Sequence, residues 1–128
     1  MIDSADELNK AIASNLIALG YKVNGGIDEY PRVEIVSVTA DEGVEKSNDD
    51  EYVTATIELL SKSKKGKAEI MAMRKAILNK FRYIGLDNVQ NVKVVICRLE
   101  SEQDLHESDE VDEIYRRILE FNILTHKL

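Results

Sequence analysis

At 128 residues, with 44% apolar and 32% charged side chains, the chain is sized for one domain (1–128) that buries its own core. A formal charge of −7 argues against general affinity for DNA backbone or anionic membrane, which both demand an excess of lysine and arginine, and points to protein partners. One cysteine excludes an intrachain disulfide and fits a reducing compartment; with no basic-then-apolar leader and no apolar run near roughly 20 residues, neither export nor membrane insertion is expected.

Ser4 with Glu7 has the spacing of a capping box, which predicts a helix start, and Ala5, Leu8, Ile12, Leu16 and Leu19 supply its buried stripe up to Gly20. Tyr21 to Val23 reads as a short extended piece and Asn24-Gly25-Gly26 as a turn. Pro31 opens a strand in which Val33 and Ile35 alternate with Arg32 and Glu34. Val36 and Val38 then take the opposite phase, the mark of a bulge or of burial on both faces. Residues 41–51, rich in acid, glycine and serine, read as a long mobile loop between two antiparallel strands.

The chain is organised around the next two elements. Val53, Ala55, Ile57 and Leu59 point one way while Thr54, Thr56 and Glu58 point the other, a half-buried strand. Ile70, Met73, Ile77, Phe81 and Ile84, widened by Met71 and Leu78, then recur at helical spacing, with Gly85 placed for a left-handed cap. Val92, Val94 and Ile96 alternate with Lys93, Val95 and Cys97 in a further strand. Both its faces are fairly apolar, which places it inside the sheet. Residues 100–113 read as a second acidic mobile loop. The last segment fits helical spacing through Val111, Ile114, Tyr115, Ile118, Leu119 and Asn122. It fits strand alternation through Tyr115, Arg117, Leu119, Phe121, Ile123 and Thr125 as well, and its lack of good helix formers favours a long final strand. The predicted class is α+β, a mainly antiparallel four- to five-stranded sheet with two helices on one face in the order α-β-β-α-β-β. Val95, Cys97, Ile118 and Leu124 would then form a second sheet face short of cover.

No reaction is recognisable. His106 and His126 stand at no metal-ligand spacing with each other or with Cys97, the residues 104–109 lack a calcium-loop pattern, and no nucleophile elbow, phosphate loop or dinucleotide fingerprint is present; no cofactor is implied. Lys62, Lys64, Lys65 and Lys67 crowd the turn before the second helix, where the macrodipole makes cations mildly unfavourable. They read as a solvated turn, as a subunit interface, a basic knob whose complement on another copy is the acidic segment from Asp104 to Asp112, or as a nucleic-acid contact.

The order of elements, with Pro31-Arg32-Val33-Glu34-Ile35, Thr54 to Ser61, the helix carrying Ala68, Ile77 and Phe81, and the terminal Arg117-Ile118-Leu119-Glu120-Phe121-Asn122-Ile123, resembles the tail-terminator, or tail-completion, proteins of long-tailed bacteriophages. That resemblance implies a non-enzymatic virion subunit, assembled in the host cytoplasm and located at the head-tail interface. Copies would close into a ring, commonly a hexamer, that sits on the tail tube protein, stops tube polymerisation and offers a surface to the head connector protein, with DNA passing through unbound. It further implies that Asp41, Glu42, Glu45, Asp49, Asp50, Asp104, Glu107, Asp109, Glu110 and Asp112 face the lumen or the tube, where acids repel phosphates. The alternative is a small cytosolic regulatory module that uses an exposed sheet face for a ligand or a partner protein.

Overall fold

The computed structural model describes residues 3–25, 29–40, 50–62, 66–108 and 113–128, and the sequence-level expectations for Gly26, 41–49, 63–65 and 109–112 lie outside them. Its elements are α1 (Ser4–Ala18), β1 (Lys22–Val23), β2 (Arg32–Ala40), β3 (Asp50–Ser61), α2 (Gly66–Leu78), which runs on into a π-helical turn (Asn79–Ile84), β4 (Val92–Ser108) and β5 (Glu113–Lys127). The sheet order is β1-β2-β3-β5-β4, antiparallel throughout except for the parallel β1–β2 pair, so the α-β-β-α-β-β reading stands with the short strand near Tyr21 added.

The core lies on one face of the sheet. Val53, Ala55, Ile57 and Leu59 of β3 and Leu119, Phe121 and Ile123 of β5 are all fully buried there against Leu8, Ile12 and Leu16 of α1 and Ile70, Met73, Ile77 and Phe81 of α2 and its π turn. The alternation of the two longest-legible strands therefore places both helices on the same side. The final segment is a strand, paired with β3 on one side and β4 on the other, and its alternating residues Leu119, Phe121 and Ile123 are fully buried.

Several local expectations change. Helix α1 is capped by Asp3, whose carboxylate accepts from the amide of Ala5 at 2.9 Å. Ser4 lies one residue inside, fully buried, its hydroxyl without a hydrogen-bond partner among the described residues, so the capping box does not form. The stripe of α2 ends at Phe81: the π turn adds residues per revolution and swings Ile84 out to 66% exposure, while Met71 also faces out. The Gly85 amide closes that turn on the Lys80 carbonyl at 2.8 Å. Its φ of +99° with ψ of 153° is not the left-handed cap but an extended region that only glycine visits readily.

Strand β4 departs furthest from expectation. It is an edge strand, not an internal one, and it runs through Glu100 to Ser108, so the second acidic segment is strand rather than loop over those residues. Asp50 and Glu51 likewise belong to β3. Two bulges, at Val95 and at Glu100, switch the phase of β4 twice. The first puts Cys97 on the helix-covered face and Ile96 on the open face, so a strand with one face half-buried and one exposed reads as apolar on both. Ile118 and Leu124 remain on the open face, whereas Cys97 does not.

Candidate functional site

The charged residues of the two long strands gather where β4, β5 and α2 meet. The register opposes Asp104 to Arg117 and Glu102 to Leu119, which brings Glu102, Asp104 and Arg117 to the face that α2 covers. Arg74, on α2, reaches across and grips Glu102 with two bonds, Nε to Oε2 at 2.6 Å and Nη2 to Oε1 at 2.9 Å. Arg117 adds Nη2 to Glu102 Oε1 at 2.9 Å and an ion pair to Asp104. The Arg74 guanidinium, and then that of Arg117, hold the Glu102 carboxyl down at about 2 against the opposing effect of its partial burial. This four-membered network locks α2 to the edge strand.

On the open face, Glu58 of β3 and Arg116 of β5 pair at 2.6 Å with the glutamate side chain only 8% exposed. Beside them Arg32, itself buried, binds Glu34 at 2.9 Å, donates to the Glu29 carbonyl at 3.3 Å and stacks 4.7 Å from the centre of the Tyr30 ring. Lys62 lies at the same ring, its Nζ 5.8 Å from the centre. Lys67 is exposed in the first turn of α2 and lines a cleft of about 190 Å³ with Ile70, Met71, Asp104, Leu105, Tyr115 and Arg116.

The structure thus brings Lys62, Lys67 and Asp104 to one end of the sheet, with Asp104 already neutralised by Arg117 of its own chain. Asp50 sits at the other end, where it bonds His126 Nδ1 at 2.6 Å. Nine residues of β5 separate the levels of Asp50 and Asp104, about 30 Å at about 3.3 Å per residue, so the acids grouped by sequence do not converge. Glu107 pairs through its backbone with Ile114 in the β4–β5 hairpin. Lys64, Lys65, Asp41, Glu42, Glu45, Asp49, Asp109, Glu110 and Asp112 lie outside the described residues.

A second feature is a groove of about 670 Å³ between the 85–89 connection and the first part of β4, rimmed by the exposed apolar residues Val95, Ile96 and Leu128. Asn15 fixes its far wall: the buried side chain donates to the Asp87 carbonyl at 2.9 Å and accepts from the Asp87 amide at 3.0 Å. Cys97 lines the groove, but burial pushes its thiol up to about 12 with only weak opposition from Arg82, so it is no nucleophile at neutral pH. Among the described residues no group of His, Cys, Asp and Glu could hold a metal ion, and no helix is long and apolar enough to cross a membrane.

Sequence reasoning passed over Arg74, Glu102 and Arg117 because the acidic run read as solvated loop. The available signal was the pairing of an acidic stretch with Arg116-Arg117 across a short connection, since opposite charges on facing strands favour a hairpin.

No protein-family model and no curated protein matches this chain. Among solved structures, the chain is similar over its whole length to a chain of the virion of a native gene transfer agent (GTA) particle, with a TM-score of 0.73, 15% sequence identity, and 98% of this chain and 99% of that one covered. At that identity the two share a fold.

Proposed function

We propose that this protein is a structural subunit of a phage-type virion whose copies form a ring on the end of the tail tube, halt its polymerisation and present the surface to which the head connector joins. The observation that carries this reading is the end-to-end fold match with a chain of a virion. The charge arrangement supports it: Arg74, Glu102, Arg117 and Asp104 engage one another as structural ties between the second helix and the edge of the sheet. Work is done by surfaces presented to other subunits, with no bond made or broken.

In this reading the net charge of −7 keeps the channel from holding DNA as it passes. Because Asp50 and Asp104 lie at opposite ends of the sheet, the acids at those two ends serve different levels of the assembly, one facing the tube and one facing the head. Lys62 and Lys67 accompany the Asp104 end and face a neighbouring subunit.

Light scattering coupled to gel filtration over a concentration series tests the reading. A mass that rises to a fixed multiple of the chain, with rings in negative-stain images of that peak, is expected. A mass that stays at one chain at every concentration, in the presence of tube ends as well as alone, would contradict it.

A further inference from the structure

Among the described residues, both edges of the sheet are bare over matching stretches. On β2, cover ends early: β1 pairs only with Arg32 and Val33, and the Asn24 side chain takes the Ile35 amide at 2.8 Å. Beyond it, Val36 to Ala40 has no strand on its outer side among the described residues. On β4, the 85–89 connection flanks the strand across the groove as far as Cys97; from there Arg98, Glu100 and Ser101 are exposed, again with no strand beside them among the described residues. Two such edges are templates for strand addition.

Direction and register narrow the occupant. β2 and β5 run one way, β3 and β4 the other, so a second copy set beside β4 in the same sheet orientation offers β2 antiparallel to it. Carried across the sheet, the register sets Ala40 level with Cys97, Thr39 with Arg98 and Val38 with Leu99. Past the bulges it sets Ile35 level with Glu102 and Glu34 with Gln103. β2 spends its extra residue at Val36 and β4 spends one at Glu100, inside the same interval. A regular foreign strand would lose step at such a bulge, whereas these two keep step with each other. The faces agree too: Val38 and Ala40 share the helix-covered side with Leu99 and Cys97, and Ser37 and Thr39 share the open side with Arg98 and Ser101.

We propose that Cys97 to Ser101 of β4 in one copy pairs antiparallel with Val36 to Ala40 of β2 in the next, so that the sheet continues from subunit to subunit. The joined surfaces differ, which makes the contact heterologous: it repeats around a closed ring and does not stop at a pair. This rests on the ring reading and names the surfaces that build the ring.

Disulfide mapping tests it. In a Cys97→Ser background, Arg98→Cys is combined in turn with Ser37→Cys, Thr39→Cys, Val38→Cys or Ala40→Cys, each variant is checked for an unchanged melting temperature, and the assembled protein is oxidised and run on a non-reducing gel. Thr39→Cys, level with Arg98, is expected to give a ladder of covalent multimers, whereas Ser37→Cys, on the same side but two residues further along and about 7 to 8 Å away, should give little. Val38→Cys and Ala40→Cys, which face the opposite side, should give at least about tenfold less, because a disulfide needs its Cβ atoms within about 4.5 Å. Dimers from Arg98→Cys alone would mean that β4 pairs with itself, and equal yields from both sides would mean no strand pairing; either overturns the proposal. Hydrogen exchange on the unmodified protein gives an independent readout, with 36–40 and 97–101 gaining protection together on assembly. Rings that form without that protection refute the edge contact and leave the ring reading standing, while a chain that never assembles removes both.

Discussion

Arg74 and Glu102 form a doubly bonded ion pair, at 2.6 and 2.9 Å, that ties the second helix to the far edge strand of the sheet. Both side chains are about one-quarter exposed, so water screens part of the attraction. Glu102→Gln is expected to destabilise the fold by about 1 kcal/mol in chemical denaturation, since it removes a charge-assisted acceptor shared by two guanidinium groups.

The same carboxylate fixes an acid limb. Glu102 titrates at about 2 in the folded chain against an ordinary 4.5, so unfolding takes up a proton anywhere between those values. The stabilisation from this group is therefore complete above about pH 4.5 and is lost as pH falls toward 2. Thermal melts stepped through that window should decline less steeply for Glu102→Gln than for the unmodified protein, and parallel curves would contradict the assignment.

Phe81 closes the core where the helix changes pitch, its ring 5.1 Å from that of Phe121. Phe81→Ala leaves a buried void beneath the π turn and is expected to lower stability by about 3 to 5 kcal/mol in denaturant unfolding.

Asn15 holds the 85–89 connection against the first helix through both of its amide atoms. Asn15→Ala strands the Asp87 backbone groups and should cost about 1 to 3 kcal/mol. Hydrogen exchange should show the loss locally, as faster exchange at the Asp87 amide with the β3 amides unchanged.

Gly85 has open space where a Cβ would go, so its requirement is conformational alone. With φ at +99°, Gly85→Ala is expected to cost about 1 to 3 kcal/mol, measured as a shift in the denaturation midpoint without a change in slope.

The elements that were legible in the sequence are those whose period is unbroken. Val53 to Leu59 and Leu119 to Ile123 alternate without interruption, and their burial follows; Leu8, Ile12 and Leu16 do the same for the first helix. What was hidden is what a single inserted residue hides. The bulges at Val95 and Glu100 reverse the phase of β4, so its true faces cannot be read by alternation, and the π turn does the same to Ile84. Composition misled over Glu100 to Ser108, where acids are affordable in a strand because Arg74 and Arg117 stand opposite them. The candidate site was legible only in part: Lys62, Lys67 and Asp104 do share one end, whereas Asp50 lies at the other.

The central claim is that this chain acts by assembling on a tube, and the most direct measurement is the length distribution of tubes grown from purified tube protein with and without it, imaged by negative stain. Tubes that stop at a defined length and carry a ring at one end are the expected result; tubes that grow to the same lengths in its presence, with bare ends, would contradict it.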